Sequence, residues 1–158
     1  MRGREAGGGR QEQGGGSRSQ ELEQKAADRH PFITKDWREN LHAYLGGILR
    51  NLAGVSLAIG GVEDHVHILM GLRATHSLAS IMREVKSGSS EWVHSVVGKE
   101  RFAWQPGYFG VTVSPSQLEK VRRYVLNQEE HHRHKTFEEE YMEMLKLAGI
   151  AYDERYVW

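Results

Sequence analysis

The sequence predicts one α+β domain in which helices cover an antiparallel sheet. Apolar patterns follow the order helix, strand, strand, helix, strand, helix, which is typical of this class. The 158 residues suffice for one domain with a real core and leave little for a second. The longest apolar runs, such as Val55–Ile59, are far shorter than the ~20 residues that cross a membrane. We therefore expect a cytoplasmic protein that does not contact the membrane; the pattern leaves the sheet topology open.

The first 29 residues are rich in Gly, Arg, Gln and Glu and contain almost no large apolar side chain. Such a segment buries too little surface to offset the entropy lost on ordering. We expect residues 1–29 to be disordered and residues 30–158 to form the domain.

The first predicted helix begins after Thr34 and ends before Gly54, since its apolar residues recur at steps of three and four. Two strand-type runs follow, Val55–Ile59 and His65–Gly71. A second helix opens at Thr75 or Ser77 and continues through Trp92 after a polar Ser-Gly-Ser-Ser break.

The second half of the chain also shows a strand pattern followed by helix patterns. Strand-like content fills 102–113, interrupted by Pro106-Gly107. Ser114-Pro115 then begins a helix that we expect to reach about His132. A last helix is predicted from Thr136 to Gly149, followed by an extended end.

Composition excludes several kinds of chemistry. The chain has no Cys, which excludes disulfide scaffolds, zinc ribbons and thiol nucleophiles. Its 21 Lys and Arg balance 21 Asp and Glu, so the global charge gives no support for nucleic-acid binding. Residues 120–135 carry a modest local excess of basic side chains, which is either a basic patch or an ordinary solvated helix face.

Two histidines stand at strand spacing. Side chains at i and i+2 share one face of a strand, so His65 and His67 can converge on one metal ion. Two imidazoles leave coordination positions open for water or a phosphate oxygen. With 9 histidines in the chain, however, the spacing alone is weak evidence for a metal site.

A second pair stands at helix spacing. Tyr124 and Gln128 are separated by four residues and would lie above one another on a single helix face. A tyrosine oxygen can attack phosphorus if a cation stabilises the developing charge. Taken alone, such a pair is far more often a half-buried tyrosine beside a surface glutamine than a site.

Four strings raise the significance of both pairs: EDHVHIL at 63–69, KSGSSEW at 86–92, FAWQPGY at 102–108, and YVLNQEEHH at 124–132 followed by YDERYVW. In order and spacing they resemble the small insertion-sequence transposases with one catalytic tyrosine, the single-tyrosine HUH transposases. The resemblance covers roughly Pro31 to Trp158.

The resemblance implies a ferredoxin-like or RRM-like sheet, with Tyr124 as nucleophile and His65, His67 and Gln128 as ligands of Mg²⁺ or Mn²⁺. It implies a homodimer that cleaves and rejoins single-stranded DNA bearing a hairpin, through a 5′-phosphotyrosine intermediate. On charge, the side chains expected to contact DNA phosphates are Arg83, Lys86, Arg122 and Arg123.

The chain departs from the family pattern at its start. Relatives begin with an apolar strand, whereas here a Gly/Arg-rich stretch leads into KAADRHPFI. We expect the first strand to be missing or replaced, and its loss to leave the product destabilised or inactive.

Three other functions fit some of these residues. A non-cleaving RRM-like module would stack unpaired bases on aromatics such as Trp104 and Tyr108. A replication initiator or relaxase would use the same metal ion and tyrosine nucleophile on a different DNA, although the short chain disfavours it. A metal-dependent hydrolase would use water as nucleophile and would not need Tyr124.

Overall fold

The computed structural model describes residues 18–134, together with 139, 142–143 and 145–146. Within these residues the strands and α-helices follow the order β1 (Arg18–Lys25), α1 (Lys35–Asn51), β2 (Val55–Gly61), β3 (His65–Leu72), α2 (Leu78–Trp92), β4 (Phe109–Val113), α3 (Leu118–Leu126) and α4 (Gln128–His134). All strand pairs are antiparallel, in the spatial order β2-β3-β1-β4. This arrangement confirms the predicted α+β class with a ferredoxin-like sheet. None of the helices in the described ranges is long and apolar enough to cross a membrane.

The first strand is present, so of the two expectations, that it is missing or that it is replaced, the first is wrong. β1 pairs with β3 along its whole length, from Arg18 opposite Leu72 to Lys25 opposite His65, and with β4 on its other side. The expected disorder therefore does not hold for Arg18–Lys25, and residues 1–17 lie outside the described part. The composition misled because strand pairing uses backbone groups, which the sequence RSQELEQK supplies as well as an apolar sequence does.

β1 is nevertheless an unusual interior strand, because four of its buried side chains are polar or charged. Gln20 donates from Nε2 to Thr112 Oγ1 at 2.8 Å, and Gln24 donates to the Gln105 carbonyl at 3.2 Å. Glu21 and Glu23 point to the opposite face of the sheet, since side chains alternate along a strand. The predicted loss of stability stays a prediction, and its cause would now be these buried groups.

The two faces of the sheet carry different cores. The larger one lies under α1 and α2 and includes Leu22, Val66, Ile68 and Met70. The smaller one lies under α3 and is built from Ala58, Leu69, Val113, Val121, Tyr124 and Val125. Because β3 alternates its side chains, His65 and His67 fall on the face that α3 covers.

Helix α1 confirms the predicted start after Thr34. Helix α2 begins after Ser77, whose side chain accepts from the Ser80 amide, and it runs through the predicted Ser-Gly-Ser-Ser break without interruption. The small residues there serve packing: a Cβ on Gly88 would lie 3.1 Å from Ile48 Cδ1, and Ser89 accepts from Trp104 Nε1.

The helix predicted from Pro115 to His132 is divided. A 3₁₀ turn at Pro115–Gln117 leads into α3, and Asn127 separates α3 from α4. In the 102–113 region only Phe109–Val113 is a strand, and Trp104 forms a single bridge with Ala26. The helix predicted from Thr136 to Gly149 and the extended end lie largely or wholly outside the described residues.

Candidate active site

The two histidines of β3 lie side by side and buried. His65 and His67 are each 1% exposed, and their rings meet edge to face with centroids 5.0 Å apart. The structure thus places both imidazoles on one face of the sheet, as strand spacing predicts.

Each imidazole has a carboxylate on its Nδ1. Asp64 Oδ1 lies 2.7 Å from Nδ1 of His65, and Glu21 Oε1 lies 2.8 Å from Nδ1 of His67. Because a carboxylate accepts a hydrogen bond, each neutral ring carries its proton on Nδ1. The Nε2 atom then keeps a lone pair that can bind a metal ion. This outer support is the arrangement that metal-binding histidines commonly have. Sequence reasoning missed Glu21, because it lies in the segment expected to be disordered.

Asp64 is held as an anion. Burial by itself raises its pKa, but the hydrogen bond and charge of His65, together with Arg29, lower the pKa to about 2. The Nη2 atom of Arg29 lies 3.0 Å from Asp64 Oδ2. Asp64 is therefore ionised near neutral pH and can orient His65.

Gln128 and Tyr124 meet these histidines from the helical layer. Gln128 is 2% exposed; its Nε2 donates to the Tyr124 carbonyl at 3.1 Å, and its Oε1 lies 3.4 Å from His65 Nε2. Tyr124 packs its ring edge to face against His67, with centroids 5.4 Å apart, and is 5% exposed. The division at Asn127 therefore still brings both side chains to the β3 histidines.

A histidine that was not among the predicted ligands also reaches this place. Nε2 of His132, on α4, lies 3.2 Å from Nε2 of His65, and the two ring centroids are 4.9 Å apart. The signal in the sequence was its separation from Gln128, which is again four residues.

The donor atoms suit a divalent cation. Ligands bound at ~2.1 Å lie about 3.0–3.5 Å from one another in octahedral or tetrahedral geometry. The 3.4 Å between His65 Nε2 and Gln128 Oε1 falls in that range. Among the residues that the structure describes, no three His, Cys, Asp or Glu side chains form such a cluster by themselves. A cation here would thus depend on the amide oxygen of Gln128 as well as on imidazoles.

Two contacts fix the helical layer over β3. A Cβ on Gly60 would lie 1.8 Å from the Val125 carbonyl oxygen, so only glycine allows β2 to approach α3 this closely. Arg38, buried in α1, bonds to Glu63, Glu129 and the Ile33 carbonyl. These contacts hold α3 against β2 and α4 against α1.

The four basic residues predicted to bind DNA separate into two groups. Arg122 and Arg123 are exposed on α3, the helix that carries Tyr124. Arg83 and Lys86 lie on α2, which packs on the opposite face of the sheet. Lys86 donates to the carbonyls of Gln105, Pro106 and Gly107, each at 2.8 Å, and burial lowers its pKa. All three of its ammonium hydrogens are thereby directed to a loop.

Comparison with known proteins agrees with the fold. Residues 25–128 match the family model described as "Transposase IS200 like". A candidate transposase from Deinococcus radiodurans R1 has a similar structure, with a TM-score of 0.58 and 21% identity over 79% of this chain and 98% of that one. A REP-associated tyrosine transposase bound to a REP hairpin has a TM-score of 0.52 and 16% identity over 68% of this chain and 62% of that one. No curated protein matches the chain in sequence.

Proposed function

Because this chain belongs to the family of IS200-like transposases, we propose that it cleaves and rejoins single-stranded DNA, with Tyr124 as nucleophile and a divalent cation held by His65, His67 and Gln128. One observation carries the proposal: the Tyr124 ring lies against His67 while Gln128, four residues later, lies against His65. The nucleophile and the ligand positions are thus adjacent in space although α3, α4 and β3 are separate elements.

The proposed reaction is a transesterification. Oη of Tyr124 attacks the scissile phosphorus, and the bond from phosphorus to the 3′ oxygen breaks. The phenol loses its proton, and the departing oxygen gains one to become a free 3′-hydroxyl. The 5′ side stays on Tyr124 as a phosphotyrosine, and attack by a 3′-hydroxyl reverses the step and rejoins the strand. When bound, Mg²⁺ or Mn²⁺ would stabilise the charge that develops on the phosphate.

The chain's own residues prepare this reaction. Asp64 and Glu21 orient the two imidazoles, and the Gln128 amide is oriented by its bond to the Tyr124 carbonyl. The exposed Arg122 and Arg123 would bind phosphates along the strand. For the substrate we propose hairpin-bearing single-stranded DNA, because the REP-associated relative is bound to a hairpin. The family resemblance supports a homodimer as the acting form.

The test is incubation with a labelled library of single-stranded hairpin oligonucleotides and Mn²⁺, followed by a denaturing gel. We expect a protein-linked DNA band that Tyr124→Phe and His67→Ala abolish. Tyr108→Phe, at a tyrosine that is 41% exposed, is the matched control and should retain the band. Cleavage without any linked band, unaffected by Tyr124→Phe, would replace the proposal with a hydrolase that uses water. Binding without cleavage would replace it with a non-cleaving module.

A further inference from the structure

Helix α4 carries three histidines, and only one of them faces β3. His131 packs against the ring of Tyr124, with centroids 5.3 Å apart, and His134 is exposed beside Glu130. His132 instead places its Nε2 3.2 Å from Nε2 of His65. It stands one helical turn after Gln128, so the two side chains extend from the same face of α4.

The contact between His132 and His65 has a defined chemistry. His65 already donates from Nδ1 to Asp64, so its neutral ring offers only a lone pair at Nε2. A hydrogen bond at that atom therefore requires His132 to donate from its own Nε2. If the proton of His132 moves to Nδ1, both Nε2 atoms carry lone pairs, and a rotation of the His132 side chain would let the two converge on one cation. A cation shared by the two nitrogens would then replace the proton that joins them in the hydrogen bond.

The distances are those of a coordination shell. Two donors that each bind a cation at ~2.1 Å lie about 3.0–3.5 Å apart. His65 Nε2 is 3.2 Å from His132 Nε2 and 3.4 Å from Gln128 Oε1. His132 Nε2 and Gln128 Oε1 thus each lie from His65 Nε2 at the distance that separates two adjacent ligands of one cation.

We propose that His132 is a further protein ligand of the cation, so that the centre consists of His65, His67, His132 and Gln128. This inference rests on the proposed function, which supplies the cation. The described histidines do not yet form a three-ligand cluster, so binding requires a side-chain rotation of the half-buried His132. Three imidazoles and one amide favour Mn²⁺, Co²⁺ or Zn²⁺ over Mg²⁺, which prefers oxygen ligands.

The experiment is a titration of the purified full chain with Co²⁺ alone, followed by visible absorption, with Mn²⁺ titration by electron paramagnetic resonance in parallel. Four proteins are compared: the unchanged chain, His132→Ala, His134→Ala and His67→Ala. His134→Ala is the matched control, since that side chain is 72% exposed on the same helix. Neither readout depends on DNA cleavage.

We expect His134→Ala to bind like the unchanged chain. His132→Ala should lose at least about tenfold in Co²⁺ affinity, a loss that even an outer-shell partner can cause, and should show an altered absorption spectrum. A His132→Gln variant and thermal melts without metal separate this loss from a folding defect. Unchanged affinity and spectrum in His132→Ala, with binding lost in His67→Ala, would overturn the role of His132 alone. No binding by the unchanged chain would overturn this inference together with the proposed cation.

Discussion

The guanidinium of Arg38 holds Glu129 directly beside the candidate site: Nη1 of Arg38 lies 2.6 Å from Glu129 Oε1. The same group contacts Glu63 Oε1 at 2.7 Å and the Ile33 carbonyl. Arg38 is 4% exposed. One buried cation therefore ties α1 to the residue after Gln128 and to the turn before β3.

We expect Arg38→Met to lower the free energy of unfolding by about 1–3 kcal/mol, because it leaves a buried carbonyl and two carboxylates without this donor. Co²⁺ affinity should fall as well, since Gln128 loses its anchored neighbour. Urea unfolding and Co²⁺ titration measure both effects. Arg50→Met, at an exposed position of α1, is the control. Unchanged Co²⁺ affinity in Arg38→Met would show that α4 is held in place by other contacts.

Gly60→Ala tests the close approach of β2 and α3. The added methyl group would collide with the backbone carbonyl of Val125, which cannot rotate away as a side chain could. We expect a loss of about 1–3 kcal/mol or more in unfolding free energy, with weaker cation binding because Tyr124 and Gln128 move outward. Gly107→Ala should be neutral in both measurements, as no described atom lies within 4 Å of the place that its added methyl group would take. Equal melting temperatures of the two variants would refute this account.

Glu23 offers a way to stabilise the chain. Its side chain is 3% exposed, its Oε1 accepts no hydrogen bond among the described residues, and Lys25 Nζ lies 3.7 Å away. Valine suits an interior strand, so we expect Glu23→Val to raise the free energy of unfolding by about 1–3 kcal/mol. The exposed Glu91→Leu should change it by no more than about 0.5 kcal/mol. Destabilisation by Glu23→Val would mean that this carboxylate has a role in the fold.

The two groups of basic residues should respond differently to salt. Replacing Arg122 and Arg123 by Gln should weaken single-stranded DNA binding and reduce the salt slope of the binding constant by about 0.7 for each lost phosphate contact. Lys86→Gln should leave that slope unchanged and lower the melting temperature, because it frees the carbonyls of 105–107. Fluorescence anisotropy at several salt concentrations measures the slopes. A smaller salt slope of the binding constant in Lys86→Gln would instead show that Lys86 contacts a DNA phosphate.

His42 should make the fold sensitive to mild acid. Burial lowers its pKa from 6.5, so the folded chain binds this proton less readily than the unfolded chain. Its contribution to stability is complete above the unfolded value and is lost as the pH falls below it. The melting temperature of His42→Gln should therefore fall less between about pH 7.5 and about pH 5.5 than that of the unchanged chain. Parallel melting curves of the two proteins would contradict this.

The parts of the molecule that could be predicted are those with local periodicity. The spacing of the β3 histidines, the apolar repeat of α1 and the separation of Tyr124 from Gln128 each depend on residues close in sequence. Glu21 could not be predicted in this way, because its bond to His67 joins positions 46 residues apart. The polar composition of β1 likewise gave no strand signal, and its place between two other strands is a tertiary effect that overrides propensity.

Local sequence patterns also do not predict that the helix is divided at Asn127. Good helix-forming residues flank it on both sides, yet its N–H bonds back to Arg123 and its carbonyl accepts from Glu130 and His131. Its backbone angles, φ −104° and ψ 27°, depart from those of a helix, and local patterns do not show which histidine of α4 then faces β3. The sequence contained the correct residues, but their assignment to faces required the fold.

The position of β1 in the sheet has a consequence for synthesis on the ribosome. β1 is the first strand of the sheet to leave the exit tunnel, yet its two neighbours are β3 and β4, and β4 ends only at Val113. The β1 backbone therefore stays unpaired and hydrated until β3 and β4 have been synthesised. Pairing between strands that are far apart in the sequence is also slow. A strand with the sequence RSQELEQK stays hydrated during that delay, where an apolar strand would invite aggregation. We expect the nascent chain to gain its protease resistance only after β4 has emerged.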